Sequence, residues 1–153
     1  MTIQIDTREK ERAVKKILAE FDRRNITHIS SKLYVGDYMS FDNPRVIIDR
    51  KQNLLEICTN VCQQKKRFTA ELARASQAGI RLIILCEHSK DIKTLDDVKK
   101  WINPRLKESP MAVSGERLYK ILLSLKNRYN VEFEFCDKIN TGSRIIELLS
   151  LPS

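Results

Sequence analysis

Two short stretches of the sequence, residues 34–38 and 46–51, place acidic side chains beside apolar or β-branched residues. Such runs are typical of buried strands, whose polar ends can emerge into a site. Because side chains alternate across a strand, Asp49 and Lys51 share one face of the second stretch, while Arg50 points to the other. The sequence therefore predicts a carboxylate and a lysine side by side at the end of a strand.

Asp37 supplies a second carboxylate if the two stretches are neighbours in space. We expect the extended segment 27–35 to form a hairpin with residues 46–51, which would bring Asp37 to Asp49 and Lys51. Two carboxylates can hold Mg²⁺ or Mn²⁺, and a lysine beside them can support a nucleophile or the charge that develops on a phosphate. Each motif by itself is more often a solvated strand end, so the hypothesis depends on the rest of the chain.

The composition is that of an ordinary globular protein and favours a polyanionic partner. The 153 residues are 42% hydrophobic and 31% charged, with a formal net charge of +8 at pH 7. This length suits a single domain, residues 1–153, with a core of its own. The charge favours DNA over a membrane, since no stretch is long enough to span a bilayer; a charge that only aids solubility is the alternative.

Cysteine usage indicates an intracellular protein, in the cytoplasm or nucleoid, as does the absence of a signal peptide. The four cysteines, Cys58, Cys62, Cys86 and Cys136, include no CxxC pair. A zinc site is therefore not expected, and we predict four buried, reduced thiols.

The hydrophobic periodicity predicts strands that alternate with helices. Extended segments are predicted at residues 2–6, 27–35, 46–51, 80–86 and 131–136. Helices are predicted at residues 11–24, 53–62, 68–77, 95–102 and 141–149, and a longer one opens at Ser114. This order predicts an α/β sandwich with a central mixed β-sheet flanked by helices.

The connections also carry predictions. Asp6 or Thr7 is expected to cap the first helix, residues 63–67 to form a basic break, and residues 103–113 to form an irregular loop. The most apolar run of the chain predicts a central strand covered on both faces, with Glu87 at its carboxyl end. Open α/β sheets place their ligands at such ends.

Five short motifs occur in order over nearly the whole chain. They are Ile5-Asp6-Thr7-Arg8-Glu9, Val35-Gly36-Asp37-Tyr38, Ile48-Asp49-Arg50-Lys51, Arg67 and a strand that ends in Glu87. Each motif is weak alone, but the ordered set is specific, and it resembles that of the XPF-type (ERCC-type) structure-specific nuclease domain, within the PD-(D/E)XK restriction-endonuclease-like superfamily. The resemblance implies a restriction-endonuclease-like sandwich.

The resemblance implies roles for the two central motifs. Asp37 corresponds to the metal-binding aspartate of the family's GDY element, and Asp49 to the metal-binding acid of its ERK element. Lys51 corresponds to the catalytic lysine. Arg50, between them, is a candidate catalytic residue, although a structural or electrostatic role suits its place on the other face equally well.

The first motif and the basic segment supply the remaining candidates. Asp6 and Glu9 resemble the family's first acidic element, and Asp6 is a candidate catalytic residue that would reach the metal directly or through water. Arg8 and Arg67 are similar to family arginines near the site and could hold a phosphate. The basic residues expected to follow the DNA backbone are Lys65, Lys66, Arg67 and Arg74.

The sequence departs from the family's pattern at two positions. Asp49 stands where the acid is usually Glu, so the metal would have to sit closer to the strand. Leu55 stands where an acid often follows, and the next residue, Glu56, is expected on a helix surface. The chain also shows no appended helix-hairpin-helix or helicase region, which favours a free-standing module of the kind found in bacterial or phage genomes.

These observations predict a Mg²⁺- or Mn²⁺-dependent DNA endonuclease, a hydrolase acting on branched or structured DNA in repair or recombination. The alternative is a catalytically silent DNA-binding subunit of a nuclease complex, and a basic protein-interaction module is the third hypothesis. The expected partner is DNA, with a homodimer or a partner subunit also open. Metal-dependent cleavage separates the first hypothesis from the other two.

Overall fold

The computed structural model describes residues 1–152. Its strands are β1 (Thr2–Ile5), β2 (Thr27–Ser30), β3 (Tyr38–Ser40), β4 (Asn43–Lys51), β5 (Arg81–His88) and β6 (Glu132–Asp137). Its α-helices are α1 (Glu11–Arg23), α2 (Leu54–Val61), α3 (Lys65–Gln77), α4 (Gly115–Tyr129) and α5 (Thr141–Leu149). Short 3-10 helices lie at Asp96–Lys100, Pro104–Lys107 and Lys138–Asn140.

The strands form one mixed sheet in the order β2-β1-β3-β4-β5-β6. β3 pairs antiparallel with β1 and β4, whereas β2 runs parallel to β1, and β4, β5 and β6 run parallel to one another. The parallel half requires helical crossovers, which α2 and α3 provide between β4 and β5, and α4 provides between β5 and β6. The predicted α/β fold with a central mixed sheet is confirmed.

The predicted hairpin between residues 27–35 and 46–51 is wrong. β2 stops at Ser30 and pairs with β1 at the edge of the sheet, and a separate strand, β3, is the antiparallel partner of β4. Residues 31–37 lie in no strand, and Gly36, at φ 71°, turns the chain just before β3. The local pattern recognised extended backbone but not the choice of partner strand.

The sheet separates two apolar layers, and alternation along the central strands assigns each side chain to one of them. Ile47, Leu82 and Ile84 pack on the layer that contains α2, α3 and α4. Ile48 and Ile83 pack on the layer that contains α1 and α5. β5 is therefore covered on both faces, as its continuous apolar run predicts.

Helix ends follow local chemistry in most cases. The side chain of Asn53 caps α2 by accepting from the amide of Glu56 at 2.9 Å, and Glu56 returns the contact at the amide of Gln52, 2.7 Å away. The pair is similar to a capping box, except that Glu56 accepts from the residue before the N-cap. Glu56 lies in the first turn of α2 and is half-buried. Ser114 likewise caps α4 through the amide of Arg117 at 3.1 Å.

One predicted helix cap and one predicted helix start are wrong. α1 begins after Lys10 without a side-chain cap, because Asp6 is hydrogen-bonded elsewhere and Thr7 is exposed. α3 begins at Lys65, so the basic residues predicted as a break form its first turn. Since basic side chains are unfavourable beside the positive end of a helix, the packing of the rest of α3 must outweigh that local cost.

The segment between β5 and α4 contains two 3-10 helices rather than the α-helix predicted at residues 95–102 and the wholly irregular loop predicted at residues 103–113. Asn103 closes this connection: it accepts from the amide of Arg105 at 3.0 Å and donates to the carbonyl of Val113 at 2.9 Å. Within residues 1–152, no helix is both long enough and apolar enough to cross a membrane.

The four cysteines are free thiols, but they are not all buried. Cys58 and Cys86 are buried, Cys136 is half-buried and Cys62 is exposed. The prediction of four buried thiols is therefore wrong at Cys62, which lies just past the end of α2, where the buried face of the helix no longer continues.

Candidate active site

The carboxyl end of β4 places Asp49 and Lys51 together, as strand alternation predicts. The Lys51 Nζ lies 3.4 Å from the Asp49 Oδ2, and their side chains are only 11% and 9% exposed. Asp49 and Lys51 follow Ile47 by two and four residues, so their side chains point to the same face of the sheet as Ile47. That face is covered by α2 and α3. Burial lowers the pKa of Lys51, but the charges of Asp49 and other nearby acids outweigh burial and leave that pKa raised.

Asp37 joins this pair through main-chain bonds to β4. Its amide donates to the carbonyl of Ile48 at 2.8 Å, and its Oδ2 accepts from the amide of Arg50 at 2.8 Å. Burial and the negative charge of Asp49 raise the pKa of Asp37. Two carboxylates thus lie close enough to repel each other at a strand end, which is a favourable place for a cation.

Gly36 makes this approach possible. Its φ of 71° lies in the left-handed region, and a Cβ at this position would lie 2.5 Å from the Cγ2 of Ile47 and 3.0 Å from the carbonyl oxygen of Ile48. Only glycine combines the positive φ with so close a contact to the backbone of β4. The turn therefore brings Asp37 against β4 because residue 36 has no side chain.

Helix α3 covers the same face and adds an acid that the sequence analysis missed. Phe68 lies beneath Lys51, whose Nζ is 5.5 Å from the ring centroid. Three residues later, Glu71 has its pKa raised by burial and by the charge of Asp49, with Lys51 acting in the opposite direction. An acid three residues after a buried aromatic, beside the buried stripe of an amphipathic helix, was the signal that could have identified Glu71.

The side chain of Arg50 lies on the opposite face of the sheet. Its Nε donates to the Oε2 of Glu9 at 2.7 Å, and its Nη1 is paired with the Oε1 of Glu87. Tyr38 donates to Glu9 at 2.6 Å, and Thr141 donates to Glu87 at 2.7 Å. Arg50 therefore reaches the carboxylate pair only through its main chain, and its guanidinium ties the loop after β1 to β5 and α5.

Asp6 lies close to Asp37 in the backbone, but its carboxylate is held away from the pair. Its amide donates to the carbonyl of Asp37 at 2.8 Å. Its Oδ1 accepts from the amide and the Nε of Arg8 at 2.9 and 2.7 Å, and its Oδ2 accepts from the amide of Leu33 at 2.7 Å. Burial would raise the pKa of Asp6, but these hydrogen bonds outweigh it and lower that pKa.

The predicted phosphate-binding residues are divided between two places. Arg8 is 60% exposed, and its Nη2 lies 3.4 Å from the carbonyl of Gly36, beside the turn that carries Asp37. Lys65, Lys66 and Arg67 are exposed on the first turn of α3. Arg67 directly precedes Phe68 in the sequence. The structure thus places Arg8 beside the turn that carries Asp37, and the three basic residues of α3 next in sequence to Phe68, which contacts Lys51.

The site offers two clustered carboxylates as cation ligands. Across residues 1–152, no three His, Cys, Asp or Glu side chains are grouped as a metal-ion site, and Asp6, with both oxygens engaged, does not complete one. The donors of Asp37 and Asp49 are hard oxygens, which suit Mg²⁺ or Mn²⁺. Mg²⁺ commonly binds to one or two carboxylates and fills its remaining positions with water or substrate oxygens, so the residues fit such an ion.

Comparisons with known proteins agree with this architecture. A family model described as the ERCC4 domain matches residues 5–149. The structure of XPF from Aeropyrum pernix matches with a TM-score of 0.68 and 19% identity, over 97% of this chain and 63% of that one. A structure titled XPF from Aeropyrum pernix, complex with DNA, matches with a TM-score of 0.68 and 18% identity, over 97% and 62% of the two chains. No curated protein matches the sequence.

The fold and the site define an α/β domain of the restriction-endonuclease-like kind, built around an acid–lysine strand end. The chain belongs to the ERCC4 domain family, and the resemblance to the XPF-type, structure-specific DNA nuclease family is confirmed. It spans under two thirds of the length of the two XPF chains that it matches.

Proposed function

We propose that this chain is a metal-dependent endonuclease that hydrolyses phosphodiester bonds in branched or otherwise structured DNA. The observation that carries the proposal is the convergence of Asp37, Asp49 and Lys51, from two separate segments, at the carboxyl end of β4. The motif order of the ERCC4 domain family and the net charge of +8 support DNA as the substrate.

Asp37 and Asp49 would hold the cation, Mg²⁺ or Mn²⁺. When bound, such an ion supplies Lewis-acid polarisation of a phosphate and lowers the pKa of water. The aspartates contribute the negative charge that attracts the ion. Burial and the charge of Asp49 raise the pKa of Asp37, and a bound positive charge would oppose both effects.

Lys51 would act on the phosphate rather than as a base. The nearby acids raise its pKa, so the side chain is protonated at neutral pH and has protons to donate. A protonated lysine beside a phosphate stabilises the negative charge that builds up as the phosphodiester bond breaks. Phe68 beneath its Nζ restricts the side chain on the protein side.

Asp6 and Arg50, the other two catalytic candidates, would act by positioning. Asp6 binds Arg8 and Leu33 and thereby fixes the segment that leads to Gly36. The Arg50 amide orients the carboxylate of Asp37, while its guanidinium anchors this part of β4 to Glu9 and Glu87.

DNA would lie across the α3 side of the site. Its phosphates would contact the predicted basic residues Arg8, Lys65, Lys66 and Arg67. A relative of this fold, XPF from Aeropyrum pernix, has a structure titled as a complex with DNA, which supports this choice of partner. A homodimer or a partner subunit, and an intracellular location, are compatible extensions of the proposal.

Cleavage of labelled branched and linear DNA in Mg²⁺, Mn²⁺ or EDTA tests the function directly. We expect the wild-type chain to cut with either metal and not in EDTA, and Lys51→Ala to lose at least about 100-fold in rate. Lys15→Ala, on the exposed face of α1, is the matched lysine control and should cut normally. Absence of cutting with salt-sensitive binding retained would favour the catalytically silent DNA-binding subunit.

A further inference from the structure

Tyr34 is an exposed aromatic residue three positions before Asp37. Tyr34 is 63% exposed, whereas its neighbours Leu33 and Val35 are 5% and 0% exposed. The amide of Leu33 is also fixed, since it donates to Asp6 at 2.7 Å. Tyr34 is thus an outward-facing ring on a backbone that is anchored on both sides.

The guanidinium of Arg74 lies over the Tyr34 ring, with its Cζ 5.3 Å from the ring centroid. Such a contact restrains the ring and leaves much of it open to solvent, given the exposure of Tyr34. An aromatic ring with few rotatable bonds, held in this way, loses little conformational entropy when it binds a flat partner. The adjacent positive charge favours an anionic chain.

Helix α3 relates this pair to the candidate active site. Along the helix, Phe68 contacts Lys51, Glu71 lies near Asp49, and Arg74 contacts Tyr34. Glu71 and Arg74 are three helical residues apart, which is a rise of about 4.5 Å along α3. Tyr34 is therefore linked to the candidate active site twice, through Arg74 on α3 and through the three-residue step to Asp37.

We propose that Tyr34, held by Arg74, is a stacking platform for one unpaired base of a DNA molecule bound at the carboxylate pair. The inference rests on the proposed function and deepens it, because it names the residue of this chain that would hold an unpaired base of the substrate. A base inside a duplex is already stacked on both faces and cannot use the ring, whereas an unpaired base at a junction can.

A fork of DNA with 2-aminopurine at each unpaired position beside the junction tests the platform. The chain of residues 1–153 is added in EDTA, which prevents metal-dependent cutting, and fluorescence and affinity are measured together. We expect the wild type to quench one position, Tyr34→Trp to retain the quench, and Tyr34→Ala to lose it with about 10-fold weaker fork binding. Duplex affinity should change less than about 2-fold.

Phe41→Ala is the matched control, because Phe41 is also an exposed aromatic, at 49%, but lies at the far end of β3 from Asp37. It should behave like the wild type. Equal fork affinity and equal quenching in Tyr34→Ala and wild type would overturn the platform. A wild-type chain that cuts nothing in Mg²⁺, yet quenches the probe only when residue 34 is aromatic, would overturn the nuclease proposal and uphold the platform.

Discussion

At the scale of single residues, the site is shaped by the repulsion between Asp37 and Asp49. The two acids lie at the end of β4, where burial and the charge of Asp49 raise the pKa of Asp37. A protein without a bound cation holds these charges close at a cost in stability. Each aspartate is thus expected to have opposite effects on stability and on metal binding.

Asp37→Asn should stabilise the metal-free protein and abolish the rise in melting temperature that Mg²⁺ causes in the wild type. The amide oxygen of Asn can still accept from the Arg50 amide, while a carboxyl group that burial and the charge of Asp49 make unfavourable to ionise is removed. We expect a gain of about 1 kcal/mol in the free energy of unfolding in EDTA, and no rise in melting temperature when Mg²⁺ is titrated, unlike the wild type.

Asp91→Asn is the control for this measurement, since Asp91 is exposed and outside the site. It should leave both the stability in EDTA and the response to Mg²⁺ unchanged. A metal response of wild-type size in Asp37→Asn would count against Asp37 as a ligand.

Gly36→Ala should destabilise the protein by about 3 kcal/mol, combining a left-handed residue with a Cβ forced against β4. Gly79→Ala supplies the matched comparison. Gly79 has nearly the same φ, 70°, but its Cβ would meet only the flexible end of Arg45 at 3.1 Å. We expect a loss of about 1 kcal/mol there, and urea unfolding of both variants measures the difference. Equal losses in the free energy of unfolding would show that the contact between the new Cβ and β4 does not destabilise Gly36→Ala further.

At the scale of elements, Arg50 connects three parts of the fold with one side chain. Glu9 precedes α1, Glu87 is near the end of β5, and Thr141 at the start of α5 donates to Glu87. Both carboxylates are largely shielded from water. The free energy of unfolding therefore depends on the Arg50 guanidinium, which compensates their charges. The network fixes the strand end from the face opposite Asp49 and Lys51.

Arg50→Met should therefore lower the free energy of unfolding by about 3–5 kcal/mol, because it keeps much of the side chain's length and leaves two buried carboxylates without their cation. Arg45→Met, at an exposed position of the same strand, should lower it by less than about 0.5 kcal/mol. Chemical denaturation of both variants provides the test. A loss below 1 kcal/mol for Arg50→Met would mean that the two carboxylates are satisfied in another way.

At the scale of the whole molecule, the sheet separates the charged surfaces. α3, with Lys65, Lys66 and Arg67, packs on the face that carries Asp49 and Lys51. α1, with Arg12, Lys15 and Lys16, packs on the other face. A DNA molecule engaged at the carboxylate pair should neutralise the first basic trio, and the two trios form a matched pair for mutation.

Changing Lys65, Lys66 and Arg67 together to Gln should reduce the slope of log affinity against log salt concentration by about 2 to 3, because each phosphate contact contributes about 0.9. The same change at Arg12, Lys15 and Lys16 should leave the slope nearly unchanged. Fluorescence anisotropy with labelled duplex at several salt concentrations measures both. Equal reductions would indicate binding by overall charge without a preferred face.

The sequence by itself determined the features that depend on local periodicity. The alternation of residues 46–51 placed Asp49 and Lys51 opposite Arg50, and the spacing of apolar residues predicted α1, α4 and α5 closely. The ordered motifs also identified the family. These features were readable because strand parity and helical spacing are set by the covalent chain, whatever the rest of the fold does.

The tertiary structure alone decided which distant segments meet. β2 pairs with β1 rather than β4, and the carboxylate of Asp6 binds Arg8 and Leu33 rather than a helix end or the acidic pair. Glu71 reaches the site because α3 packs on the face of the sheet that carries Asp49 and Lys51. Such choices depend on the burial of the whole core and on competition among all possible partners for a buried polar group, and no local pattern encodes that competition.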